Sequence, residues 1–471
     1  MNFRREKDFL GEMDVKGDAY YGIQTLRAVQ NFPITGIPIH RELIIALADV
    51  KKAAARANMD VKMMKPTMGQ AIVMAADEII AGELLSEFIV DSIQGGAGTS
   101  INMNMNEVLA NRALELMGKH KGDYFQCNPN IHVNMSQSTN DTIPTALKIA
   151  AYRSTQKLMM TLKKLVSGLK VKADEFDDVL KIGRTHLQDA VPIRMGQEFS
   201  AYASVLQRDV DRLHTACELL TIINMGATAV GTGLNAKQAY IDKVAIYLSE
   251  QIGIELKTAD NLVDATQNTD VYAQLSAALK VCATNLSKMS NDIRMMASGP
   301  FTGFSEIKLP TRQPGSSIMP GKVNPVMAEV MNQVSFQVIG NDHTISMACE
   351  AGQFELNVMA PVIVFNLLQS LDILNNGVHV FYEYMIKDME ANREQCKSYV
   401  ENSFGIITAL NPHLGYDTAA QIVKEALHSG KTVKEIILER SYLTEEEMNE
   451  ILNPLEMTTP GIAGEVFLYN Q

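Results

Sequence analysis

Several stretches of this chain repeat apolar residues at alternating spacings of about three and four for longer than an ordinary helix needs. In the first, Leu147, Ala151, Ser154, Leu158, Leu162, Leu165 and Leu169 fall on one stripe. A second holds Phe199, Tyr202, Leu206, Val210, Leu213, Cys217 and Leu220, and a third Leu275, Cys282, Leu286, Met289, Ile293 and Met296. A fourth follows Pro325 through Met327, Val330, Val334 and Val338, and a fifth includes Val364, Leu368 and Leu371. This is the period of one helix face. Long helices bury such stripes only against each other, so a helical bundle follows. The 27 methionines suit the irregular gaps of such a core. The stripes are packing surfaces, not ligand contacts.

The rest of the chain is organised around that bundle. Before it lie shorter helical patterns, Glu42 to Asn58 and Val73 to Leu85, separated by turn-rich segments such as Asn31 to Gly36. The pattern breaks at Asn128, Pro129 and Asn130 and resumes near Thr142. Past Glu401 the periods shorten again, in Asp417 to Leu427, Thr432 to Leu438 and Thr444 to Leu452. The expectation is an all-α chain of three mainly helical domains, 1–141, 142–397 and 398–471, in keeping with about 150 residues per domain. Glu329, Asn332, Gln333 and Asn341 sit polar within one bundle helix. Buried alone, each costs about 1–3 kcal/mol. They therefore line a site or face another subunit, unless that face is solvated.

Composition removes several functions. A net charge of −12 repels nucleic acid and acidic membranes. An anionic small substrate then needs a locally positive pocket. Cys127, Cys217, Cys282, Cys349 and Cys396 are odd in number and scattered, which indicates neither a disulfide framework nor a zinc site. The start, Met1 to Asp8, has no apolar signal core, and no apolar run is long enough to cross a bilayer. The expected location is the cytoplasm.

Four polar clusters interrupt the helical patterning. Gly95 to Asn104 begins with glycines that turn tightly and present N–H groups to an anion, or form an ordinary flexible turn. No Gly-Lys-Ser/Thr follows, so it is not a P-loop. Asn134 to Asp141 is rich in amides and hydroxyls. It reads as a helix cap by Asn140 or Asp141, as an anion cradle at a helix start, or as both. Gly183 to Asp189 contains His186 beside Thr185, suited to proton transfer or carboxylate binding, although a lone histidine is more often structural. The fourth, Ser298 to Pro325, is a long Gly/Pro-rich segment containing Gly315, Ser316 and Ser317, then Lys322 and Asn324. Loops of that length are functional or disordered. Its apolar Ile318, Met319 and Val323 argue against a disordered linker.

The run Gly315-Ser316-x-x-Met319-x-x-Lys322-x-Asn324 resembles the signature loop of the fumarase/aspartase superfamily. The other three clusters are similar to that family's remaining site segments, in the same order, and the likeness runs from about Lys7 to Ala463. Thr99-Ser100-Ile101-Asn102, Ser138-Thr139-Asn140, Leu187 and the stretch Asn324 to Val334 resemble the aspartase branch rather than the fumarases. Ala328 departs from that branch, where proline is expected, but removes no chemical group.

The resemblance implies a homotetramer whose long helices form a central core and whose active sites each draw on three subunits. It implies a lyase that deaminates L-aspartate reversibly to fumarate and ammonia. Ser316 is then the base that takes the C3 proton, giving an aci-carboxylate intermediate, with loop N–H groups and Lys322 lowering the serine pKa. Thr99, Ser138, Thr139 and Ser317 hold the carboxylate where charge develops. Lys322, Asn324 and Thr185 hold the other one, and Asn140 and His186 position the amino group. Glu329 supports His186 as a paired carboxylate or bonds across a subunit interface. No metal or other cofactor is required, and activation by a divalent cation is left open. The alternatives are a fumarate hydratase, a lyase for larger succinyl substrates, or a non-enzymatic lens-type protein on the same scaffold.

Overall fold

Each apolar stripe folds as a helix in the computed structural model, which describes residues 2–470. In chain order the helices of the first 381 residues are α1 (Ile23–Asn31), α2 (Arg41–Asp60), α3 (Pro66–Ile80), α4 (Thr99–Leu116), α5 (Thr139–Glu175), α6 (Met195–Glu218), α7 (Gln238–Ile252), α8 (Leu262–Gln267), α9 (Asp270–Met296), α10 (Val326–Glu350) and α11 (Ala360–Phe381). Shorter helices follow: α12 (Arg393–Asn402), α13 (Ile407–Leu414), α14 (Tyr416–Ser429), α15 (Val433–Glu439), α16 (Glu445–Ile451) and α17 (Pro454–Thr458). The all-α expectation therefore holds as a mainly helical fold with small two-stranded additions. Among these are the antiparallel pairs β1 (Phe3–Asp8) with β2 (Gly11–Lys16) and β3 (Leu180–Thr185) with β4 (Gln188–Arg194).

The chain forms two compact units: Met1–Met160, Asp209–Thr284 and Val334–Asn375 in the first, and Thr161–Arg208, Asn285–Gln333 and Asn376–Gln471 in the second. In the first unit the α5 stripe (Leu147, Ala151, Leu158) and the α9 stripe (Leu275, Leu279, Cys282) are buried. The Tyr272 hydroxyl donates to the Pro144 carbonyl at 3.0 Å, tying α9 to α5. In the second unit Phe199 of α6 meets Phe176 edge-on at 5.2 Å, and Tyr202 donates to Asp292 of α9 at 2.9 Å. A separate core of Leu410, Ile422, Ile436, Met448 and Ile451 holds the C-terminal helices together.

Two of the polar bundle residues find hydrogen-bond partners inside the chain. Asn332 donates to Ser287 and Asn291 of α9, and Asn341 to Gln369 and Ser370 of α11. Gln333 is exposed on one chain.

Candidate active site

In the first unit, the starts of α4 and α5 carry Thr99, Ser138, Thr139 and Asn140. A left-handed Gly98, φ +91°, turns the chain into α4 and lies against the Ile143 side chain of α5. Thr99 is thus the first residue of a helix, where orphan N–H groups and the positive dipole end favour anions. Its hydroxyl donates to the Gly96 carbonyl at 2.8 Å.

The expected cap of α5 by Asn140 or Asp141 is corrected to Ser138. The Ser138 Oγ accepts the Asn140 N–H at 3.2 Å, and Asp141 reaches back to accept the Ser138 N–H at 2.9 Å. The helix therefore starts at Thr139, three residues earlier than the apolar pattern suggests. Pro144 leaves the Asn140 carbonyl without its helical donor, and Asn224 Nδ2 supplies one at 3.0 Å. Asn140 Nδ2 is committed to the Ala229 carbonyl at 2.7 Å, which leaves its Oδ1 as an acceptor. Thr139 Oγ1 accepts from Asn102 Nδ2 at 3.1 Å. The hydroxyls of Ser138 and Thr139 thus receive hydrogen bonds from within the protein and keep their own hydrogens to donate. Two such donors beside a helix N-terminus form a carboxylate cradle.

Behind the cradle, Asp141 is fully buried and accepts N–H groups from Ser138, Thr228 and Gly226. Burial nevertheless pushes its carboxyl up to about 7.

In the second unit, Thr185 and His186 close the β3–β4 hairpin, a strand pair that the apolar periodicity missed. Thr185 pairs with Gln188, so His186 and Leu187 are the two loop residues, at φ +55° and +60°. A two-residue loop with both φ positive is the type I′ geometry, usually built from Asn-Gly. Here it holds two bulky residues in a strained, exposed turn. Strain of this kind is a functional pointer. Behind the tip, Arg184 pairs with Glu306 at 2.8 Å and lies over the Phe304 ring at 4.2 Å.

The long segment 298–325 is only partly a free loop. Ser305 N–H donates to the Ser298 carbonyl at 2.8 Å, and Ile307–Lys308 pairs with Glu390–Ala391. Glu306 is fully buried. Further on, the serine loop closes on itself. Gly315 N–H donates to the Lys322 carbonyl at 2.9 Å, and Asn324 Nδ2 donates to the Gly315 carbonyl at 2.7 Å. A Cβ on Gly315 would overlap the Lys322 carbonyl oxygen. The ring so formed borders a hollow lined by Arg312, Ser316, Met319 and Lys322.

Ser316 Oγ accepts two backbone N–H groups, from Ile318 at 3.2 Å and Met319 at 3.1 Å. Hydrogen bonds to the charged form lower a pKa. Ser317 and Lys322 are exposed, and no ion pair engages Lys322 among the described residues. Ala328 is buried and its N–H donates to the Pro325 carbonyl at 3.0 Å, a bond proline could not make. Within one chain, no hydrogen bond or ion pair joins His186 to Glu329 among the described residues. Nor do the described residues include any group of three or more His, Cys, Asp or Glu placed to hold a metal ion. No described helix is long and apolar enough to cross a membrane.

The chain as a whole is similar to known proteins. A family model described as Lyase matches residues 11–340, and one described as Fumarase C C-terminus matches 406–459. The chain belongs to the fumarase/aspartase superfamily. Within that superfamily it is 61% identical over 466 residues to aspartate ammonia-lyase of Bacillus subtilis (strain 168), spanning 99% of this chain and 98% of that one. It is 47% identical over 462 residues to aspartate ammonia-lyase of Escherichia coli (strain K12), spanning 98% and 97%. The fold matches the superfamily's solved structures. A fumarate lyase:delta crystallin from Brucella melitensis bound to cobalt superposes with TM-score 0.95 at 48% identity, covering 98% of this chain and all of that one. A class II fumarase from Schistosoma mansoni gives 0.93 at 38% identity, with 98% and 100% covered. The resemblance to the aspartase branch agrees with these identities.

Proposed function

We propose that this member of the superfamily deaminates L-aspartate reversibly to fumarate and ammonia. The observation that carries the chemistry is the Ser316 oxygen, held by two backbone N–H groups in a closed glycine loop. Those donors favour the alkoxide, and the positive charge of Lys322 adds to them.

The C3–H of aspartate is a very weak acid, so its removal needs both a base and strong stabilisation of the adjacent carboxylate. Ser316 takes the proton, and the electron pair moves into that carboxylate as the aci-form. Ser138, Thr139 and Ser317 hold it there by donating hydroxyl hydrogens, and Thr99 contributes as the first residue of α4, where the helix N-terminus favours an anion. The pair then returns to form the C2–C3 double bond, the C2–N bond breaks, and ammonia leaves with its electrons. Lys322, Asn324 and Thr185 hold the other carboxylate. Asn140, with Oδ1 open as an acceptor, and His186 position the amino group.

The reading extends to a cytoplasmic homotetramer of three-domain chains, each active site drawing segments from three chains, with His186 and Glu329 pairing across an interface. It requires no cofactor. The exposed Thr185, His186 and Ser317 of one chain suit residues completed by another chain. A hydratase reading is weaker, because the fumarase above is less similar than the ammonia-lyases.

The reverse reaction tests the proposal. Fumarate should be consumed only when ammonium is supplied, yielding L-aspartate. Consumption in ammonium-free buffer, with malate formed, would move the reading to a hydratase.

A further inference from the structure

Lys51 is a charged side chain with no accessible surface and no carboxylate in contact among the described residues. It sits in the alanine-rich α2, among Ala53, Ala54 and Ala57, beneath the Asn134–Asp141 segment. Its ammonium donates to Asn134 Oδ1 at 2.9 Å and Gln137 Oε1 at 3.0 Å. Gln137 directly precedes Ser138 of the cradle. Asn134 Oδ1 also accepts from Asn102 Nδ2 at 3.2 Å and Asn106 Nδ2 at 3.2 Å.

The direction of this network follows from one fact. An ammonium can only donate. The Asn134 atom facing it must therefore be the oxygen, and the Asn102 atom facing that oxygen must be the nitrogen. The second hydrogen of Asn102 Nδ2 then goes to Thr139 Oγ1 at 3.1 Å, while Asn102 Oδ1 accepts from Thr142 Oγ1 at 3.3 Å. Thr139 Oγ1 thus receives a hydrogen bond and keeps its own hydrogen available for a ligand.

We propose that Lys51 is the positioning residue of the carboxylate cradle: through Asn134 and Asn102 it fixes Thr139 as a hydrogen-bond donor and places a buried positive charge behind the bound carboxylate. This rests on the aspartate-lyase reading of the cradle. It explains why an ammonium is buried against neutral amides, an arrangement that is costly for folding alone.

The groups around Lys51 set its protonation. Burial lowers its pKa to about 7, and Asp141, also fully buried, acts in the opposite direction. Tyr240 of α7 is fully buried in the field of the same Asp141, and its hydroxyl has no partner among the described residues. Asn102, Asn106, Asn134 and Gln137 are neutral. Above the Lys51 pKa the nitrogen can accept as well as donate, and the direction of the relay is lost. A bound dianion opposes that loss. Dicarboxylate affinity should therefore fall as pH rises past 7.

Succinate is the probe, since it neither reacts nor titrates above about pH 6.5. Its inhibition constant is measured in the full chain from pH 6.5 to 9. In the unmodified protein, affinity should weaken by about tenfold over that range, the most that a one-unit pKa difference between free and bound forms allows. Lys51→Met should bind succinate at least tenfold more weakly at pH 6.5 and lose this limb. Should Lys51→Met not fold, Asn102→Asp decides: its carboxylate oxygens cannot donate to Thr139, so succinate binding should weaken comparably. A flat profile in the unmodified protein overturns the proposal. So does an unchanged limb in Lys51→Met, or Asn102→Asp binding within twofold of the unmodified protein. Ammonia release from L-aspartate by the unmodified protein is scored separately and tests the lyase reading itself.

Discussion

Lys181 Nζ and Glu306 Oε2 lie 2.8 Å apart, with only 2% and 0% of their side chains exposed. Glu306 also holds Arg184 at 2.8 Å, and Lys181 holds Glu198 at 2.9 Å. Glu306 stands in the segment that leads to Ser316, and Arg184 stands next to Thr185. One buried ion network therefore anchors both the strained hairpin and the start of the serine segment.

Glu306→Gln should be costly for that reason. It leaves two cations facing a neutral amide in a buried site, and breaking such a pair costs about 3–5 kcal/mol. The melting temperature should drop by several degrees, with turnover reduced in the folded fraction. Unchanged melting would mean that the network contributes nothing net.

Leu187 offers a cleaner test of local strain. It is exposed and sits at φ +60°. Leu187→Val should lower the melting temperature, because a β-branched side chain tolerates the left-handed region less well than leucine does. Leu187→Gly should cost nothing or stabilise, since glycine adopts that region freely. The opposite order would contradict the type I′ assignment.

The Gly315→Ala exchange addresses the loop. Its Cβ would overlap the Lys322 carbonyl oxygen, which accepts the Gly315 N–H. The ring must open, displacing Ser316 and Lys322. Thermal melting should change little, because the loop is largely exposed, while kcat falls at least about 100-fold, as expected when a positioned base is lost. Near-normal kcat would show that ring closure is not needed.

Ser316→Ala and Lys322→Ala separate base from anchor. The first should keep the fold and lose kcat by about 100-fold or more. The second should chiefly raise KM for L-aspartate. Normal turnover in Ser316→Ala would reject the base, and an unchanged KM in Lys322→Ala would reject the anchor.

The long helices were legible because Leu147 to Leu169 or Leu275 to Met296 repeat at the helical period, and burial of one stripe enforces that period. Boundaries were less so. The pattern Val73 to Leu85 belongs to a helix that begins at Pro66 and ends at Ile80, where Gly82 and Leu84 take positive φ. Helix α4 was hidden because Asn102, Asn104 and Asn106 look like loop residues, although all three are buried against partners distant in sequence. The hairpin was hidden because His186-Leu187 lacks the usual turn chemistry. The Ser138 cap was disguised by neighbours equally able to cap. Lys51 gave no signal at all. A lysine in an amphipathic run reads as solvated, and only the fold shows it beneath Asn134.

The most direct measurement follows the ultraviolet absorbance of fumarate while the purified full chain is given L-aspartate and, separately, L-malate. Absorbance should rise with L-aspartate, matched mole for mole by ammonia, and stay flat with L-malate. A rise with L-malate alone would contradict the ammonia-lyase reading and assign the Ser316 loop to hydration chemistry.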